Sequence, residues 1–153
     1  TVVLINLLSI YLGLCLEQKD AFEETARKSY AMIEAFNLTE LHPGIILPLY
    51  FTLAQGYMKL GNSEKALELL ERYTQLATSS IYPLSLHGDE YFDLLDSWLE
   101  NTLTMGSDMP RNEMTIKKSA VESIINCKTF EPLRNDIHFQ NIIKRLKTLE
   151  DKY

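Results

Sequence analysis

The stretch YFTLAQGYMKLGNSEKALELLERY, residues 50–73, constrains the fold more than any other. Tyr50, Leu53, Ala54 and Tyr57 recur at the three- and four-residue spacing that lines up apolar side chains on one face of a helix. Gly61 follows directly, and a glycine just past the last periodic residue takes the left-handed conformation that ends a helix at little cost. Asn62 or Ser63 can then cap a second helix, in which Ala66, Leu67, Leu70 and Tyr73 keep the spacing. Ala54 and Ala66 are small where the two antiparallel helices would cross closely.

Helical spacing recurs along most of the chain. One helix runs to about Leu16, and a second covers about Ala21 to Phe36 through Phe22, Ala26, Tyr30 and Ile33. NLTELHPG interrupts them, with Pro43-Gly44 as punctuation, before a helix of about Leu47 to Leu60. Residues 86–100, LHGDEYFDLLDSWLE, form a fifth helix, and Ile116, Ala120, Ile124 and Cys127 mark a sixth. A seventh begins near Asn135-Asp136 and carries Phe139, Ile142, Ile143, Leu146 and Leu149. The acid at its start and Lys144, Arg145 and Lys147 near its end complement the helix dipole. MGSDMPRNEM reads as a polar loop and the best candidate for disorder. With no convincing strand, and only 6 glycines and 5 prolines in 153 residues, the chain is all-α and built from long elements.

Charge and cysteines narrow the function classes. The formal net charge is −6, with 6 Lys/Arg against 14 Asp/Glu in residues 1–105 and 9 against 7 in residues 106–153. An acidic body argues against direct nucleic-acid contact, since phosphate neutralisation needs a positive face. Cys15 and Cys127, without a CxxC, predict two buried reduced thiols in a cytoplasmic protein rather than a disulfide framework or zinc site. The apolar run of the first helix stops at Leu16 and contains Asn6, Ser9 and Tyr11, short of the about 20 residues that span a membrane. A start inside a hydrophobic helix, with no basic n-region or cleavage site, reads as a piece of a longer chain rather than a signal peptide.

Residues 50–73 resemble the tetratricopeptide repeat, a helix–turn–helix unit of about 34 residues. Tyr50, Leu53, Ala54, Tyr57, Gly61, Ala66 and Leu70 fall at the family's spacings. A weaker copy lies upstream, where Leu12-Gly13 and Leu16 match the first helix, Asp20 replaces the turn glycine and Thr25 replaces the second-helix alanine. Leu12 to Leu53 is 41 residues, so an insertion around ELHPGII separates the units. The resemblance implies one domain over residues 1–153, with a weak repeat at 1–36, a clear repeat at 47–78 and divergent helices at 85–153. Its helix pairs would stack as an α-solenoid of about seven helices, the last of them a cap.

LHGDEYFDLLDSWLE has the composition of a metal or carboxylate site, but only His87 is a strong ligand there, and His42 and His138 are distant in sequence. On a helix starting near Asp89, the acids Asp89, Asp93, Asp96 and Glu100 form one stripe, and Tyr91, Phe92, Leu95, Trp98, Leu99 and Leu103 lie opposite. The stripe reads as a solvated, capping face or as an acidic strip for a partner. No glycine-rich phosphate loop, GxSxG elbow or HExxH motif occurs, so neither an enzyme nor a cofactor is expected.

In tetratricopeptide arrays the first helix of each pair lines a concave groove. Those positions are Phe51, Gln55, Met58 and Lys59 in the clear repeat, and Ile10, Leu14, Glu17 and Gln18 in the weak one. Gln55 and Lys59 could bond the backbone and carboxylate of an extended peptide, with Phe51 and Met58 in apolar contact. Equally, Phe51 and Met58 could pack on a neighbouring repeat and leave Gln55 and Lys59 solvated. The repeat, LHGDEYFDLLDSWLE and the closing FEPLRNDIHFQNIIKRL together resemble Gram-positive bacterial regulators that join a helix-turn-helix DNA-binding domain to a tetratricopeptide-like domain. That resemblance implies a domain that senses a peptide, a signalling peptide among them, or another protein, often as a homodimer, with the DNA-binding part outside this chain. The competing reading is a stand-alone scaffold or adaptor.

Overall fold

The computed structural model describes residues 2–82, 84–102 and 113–149. Among them all regular structure is helical, without a strand: α1 (Val2–Leu14), α2 (Lys19–Ala35), α3 (Leu38–Leu41), α4 (Pro43–Lys59), α5 (Ser63–Ala77), α6 (Leu95–Thr102), α7 (Glu113–Ile125), a 3-10 helix η1 (Lys128–Leu133) and α8 (Ile137–Lys147).

The α4–α5 turn forms as its residues dictate. Gly61 sits at φ +76°, its N–H donates to the Met58 carbonyl at 3.1 Å, and Asn62 N–H donates to the Tyr57 carbonyl at 2.8 Å. This pair of bonds closes the last carbonyls of α4 and needs a residue tolerant of positive φ between them. Asn62 then caps α5, its Oδ1 accepting from Lys65 N–H at 3.1 Å. Asp136 does the same for α8, accepting from His138 and Phe139 N–H at 2.7 and 3.1 Å.

Helix α4 is the centre of the packing. Its largest interface is with α5, the next with α1, and it also touches α2, α3 and η1. Ile46, Leu47, Leu49, Tyr50, Leu53, Ala54 and Tyr57 are all buried, and the core continues through Phe22, Ala66, Leu69 and Leu70. Pro48 lies inside this helix but on its exposed side, where its missing N–H costs one helical hydrogen bond. The second half of the chain is joined through α8, which packs on α5 and α7, and through η1 on α4. Tyr73 Oη donates to the Ala120 carbonyl at 3.0 Å, and Glu71 pairs with Arg145. Thr25, Ser29 and Thr74 are buried with hydroxyls bonded to carbonyls four residues back, so Thr25 stands in for a small apolar residue without an unpaired group.

Several boundaries differ from expectation. Pro43-Gly44 opens α4 rather than ending the break, because proline's missing N–H is harmless in a helix's first turn. The short α3 and η1 are additional elements. Cys127 lies between α7 and η1 and is only half-buried, whereas Cys15 is buried; both are free thiols. The fifth helix begins at Leu95, not near Asp89. Of the expected loop MGSDMPRNEM, residues 105–112 lie outside the described residues, and Glu113 and Met114 open α7; Leu103 also lies outside.

Candidate functional site

The candidate groove residues separate into covered and open sets. Phe51 stands edge-on to Phe130 of η1 with ring centroids 5.9 Å apart, and Gln55 Nε2 donates to Cys127 Sγ at 3.3 Å. Residues 127–130 therefore lie over the part of α4 that would face an extended ligand. Met58 is half-buried against the core and Lys59 is exposed. Ile10, Leu14, Glu17 and Gln18 are exposed at the C-terminal end of α1 and just beyond it.

The acidic stretch does not make a four-carboxylate helix stripe. Asp89 and Asp93 precede α6, and only Asp96 and Glu100 lie on it. Asp89 Oδ1 accepts from Tyr91 and Phe92 N–H at 3.0 and 2.8 Å, forming a local turn that uses the carboxylate before a helix can start. Asp96 Oδ1 turns back to Gly88 N–H at 2.7 Å, while Asp93 and Glu100 are exposed. His87 and His42, 45 positions apart, meet in space: His87 N–H donates to the Leu41 carbonyl at 3.1 Å. Burial, with the neighbouring His87 adding to it, pushes the His42 imidazole below its ordinary pKa. Among the described residues no three His, Cys, Asp or Glu side chains converge to hold a metal ion.

A site that the sequence spacing did not single out lies across α2, α4 and α5. An open cleft of about 610 Å³ is lined by Thr39, Tyr50, Glu68, Glu71, Arg72, Gln75, Leu76 and Ser79. A second, of about 290 Å³, is lined by Tyr30, Glu34, Tyr57, Lys65, Glu68 and Arg72. Glu68 and Arg72 border both. Arg72 Nη2 pairs with Glu68 Oε1 at 2.8 Å, one helical turn back, and the guanidinium lies 5.6 Å from the Tyr30 ring centroid. Burial raises the Tyr30 hydroxyl to about 12, against the opposing pull of Arg72, so it stays a neutral donor. At one end Tyr57 Oη donates to Glu23 at 2.9 Å, and Lys65 bonds the same carboxylate at 3.1 Å. At the other, burial would raise the Glu71 carboxyl, but bonds from Arg145 and Gln75 more than offset it and hold the group low. The cleft offers flat aromatic faces, fixed donors and fixed acceptors. The sequence signal for it was the Glu68–Arg72 spacing together with Tyr30 and Tyr50, tyrosines that bring a hydroxyl into apolar stripes.

Searches against protein-family models, curated proteins and solved structures each found no match. No helix among the described residues is long and apolar enough to cross a membrane.

Proposed function

We propose that this chain is a regulatory protein- or peptide-binding domain of tetratricopeptide-like, solenoid design, serving a transcription regulator. The binding role rests on the paired clefts along α2, α4 and α5, whose larger member has the about 300–1,000 Å³ size of ligand sites. The repeat reading is supported by the α4–α5 hairpin, where Ala54 and Ala66 are fully buried and Gly61 makes the turn. The link to transcription rests on the resemblance of the sequence segments. An extended peptide presents alternating donors and acceptors, which Arg72, Gln75 and Glu71 can answer in kind. Glu34, Glu68 and Glu71 outnumber Lys65 and Arg72 along the clefts, so the preferred peptide carries a basic side chain.

Panning a phage-displayed random peptide library on the chain tests this reading, with enriched peptides then titrated by fluorescence anisotropy. Arg72→Ala is expected to weaken binding at least about tenfold, as loss of a central arginine contact does, and Lys59→Ala to leave it unchanged. The reverse pattern moves the peptide to the α1–α4 surface around Leu14, Glu17, Gln18, Met58 and Lys59. Failure to enrich any peptide removes the binding role. A helix-turn-helix encoded in the same gene is the expected companion of a regulatory role.

A further inference from the structure

Three stretches of chain meet at His42. The residue joins α3 to α4, and its N–H donates to the Leu38 carbonyl at 3.0 Å. Residues 84–88 cross over the junction: Leu84 is buried, and His87 N–H donates to the Leu41 carbonyl. A Cβ on Gly44 would stand 3.6 Å from His42 Nδ1 and equally far from Leu84 Cβ, so imidazole and leucine both lie against the first turn of α4. His42 Nδ1 is buried there, and among the described residues it has no hydrogen-bond partner. A neutral imidazole tolerates this, since one of its nitrogens carries no proton. In the protonated ring both nitrogens are donors, and a buried donor with no acceptor is costly.

The charges nearby do not relieve that cost. Helix α4 has no charged residue before Lys59, and Glu40 of α3 is drawn to Asn37. Beyond the crossing segment, Asp89 and Asp96 accept from backbone N–H groups. The titratable side chain that acts on His42 is His87, which in acid adds a second positive charge.

We propose that residues 84–88 are a strap released by acid, with His42 as the group that takes the proton, and that release loosens one edge of the larger cleft. Thr39 of α3 and Ser79, just upstream of the strap, both line that cleft, and the bond from His87 to Leu41 ties strap to α3. Release follows from the surroundings of His42; only its effect on the cleft rests on the binding role proposed above. With the strap down, burial and His87 hold the imidazole below its ordinary value of 6.5. Lifting the strap restores that value, so proton uptake favours release. The strap is therefore held above about pH 6.5 and loosens as pH falls through the lowered value.

Hydrogen exchange, expressed as protection relative to the unfolded chain, tests the strap at about pH 7.5 and about pH 5.5, either side of the ordinary imidazole value. Protection of the His87 amide should fall about threefold or more in acid, while that of Leu53 in the core of α4 holds. His42→Gln should abolish the difference. In the parent, the His42 ring followed by NMR should titrate over the same interval, a check that needs no variant. Unchanged protection at His87 overturns the strap, as does the same loss in His42→Gln, an equal loss at Leu53, or a His42 ring that does not titrate with the loss. For the cleft, a peptide enriched by panning should bind the parent about threefold or more weakly at the lower pH and bind His42→Gln equally at both. A strap that lifts while affinity holds overturns the regulation of the cleft. A library that yields no peptide removes the binding role and that regulation with it, and the exchange measurements still decide the strap.

Discussion

At Gly56 the distance between helices is set by a single missing methyl group. A Cβ there would lie 2.2 Å from Cε2 and 2.3 Å from Cζ of Phe22, with Leu16 Cδ2 at 3.3 Å. Phe22 is fully buried and stands edge-on to Tyr57 at 5.1 Å, so its ring cannot yield without disturbing the cleft's floor. Alanine is the better helix former by about 1 kcal/mol, but overpacking a dense core costs about 1–3 kcal/mol. At 2.2 Å the steric effect wins. With so close an approach the cost lies at the upper end of that range, so Gly56→Ala is expected to lower stability by up to about 2 kcal/mol once the propensity gain is subtracted, read as a lower urea midpoint at unchanged slope. A midpoint at or above that of the parent would mean that α2 can swing aside freely. Nothing in the spacing of YFTLAQGYMKLG marks Gly56 in this way, because its partner lies 34 positions earlier. Gln55 has the same history: its period points outward, and only the fold brings Cys127 over it.

Among the elements, the legible ones are those whose ends carry their own chemistry. α5 and α8 begin after Asn62 and Asp136, which cap them, and α4 ends just before Gly61, the one glycine with positive φ among the described residues. These bonds are local, so a short window of sequence contains the whole reason for them. α6 was legible in type but not in extent, because Asp89 closes a turn with Tyr91 and Phe92 before the helix starts. η1 was not legible, since a six-residue 3-10 helix containing Pro132 is held by Phe51 and its neighbours rather than by periodicity. The same reasoning ranks the helices by stability. Among the described residues α6 shares no substantial interface with another helix, and Leu94 and Trp98 beside and within it are exposed. Its amides are expected to exchange with deuterium well before those of α4 and α5, which lie in the core. Equal protection in α6 would contradict so slight a contact with the core, which Leu95 makes.

For the whole molecule, acid reaches the fold through two kinds of group. The lowered pKa of His42 means that the unfolded chain binds a proton more readily, so its contribution is intact above about pH 6.5 and falls as pH drops below that. Glu23 and Glu71 work further down the scale. Burial raises each, but bonds from Tyr57 and Lys65 to Glu23, and from Arg145 and Gln75 to Glu71, leave both below 4.5. Their contribution is present above about pH 4.5 and is lost as pH falls through the lowered folded values. Melting temperature is thus expected to decline in two stages on acidification. His42→Gln should flatten the first stage, and Glu71→Gln should flatten the second. A parent-like slope in either variant would remove that residue from the account.

The contacts that close over α4 and α5 span great lengths of chain: Gln55 meets Cys127 across 72 positions, and Glu71 meets Arg145 across 74. Loops of that length close late, after neighbouring helices have paired. A ribosome making this protein therefore releases α4 and α5 well before it has made the segment that shelters Phe51. During that interval Phe51 lacks the edge-on contact that Phe130 gives it in the finished molecule, so the nascent chain shows more apolar surface than the folded one.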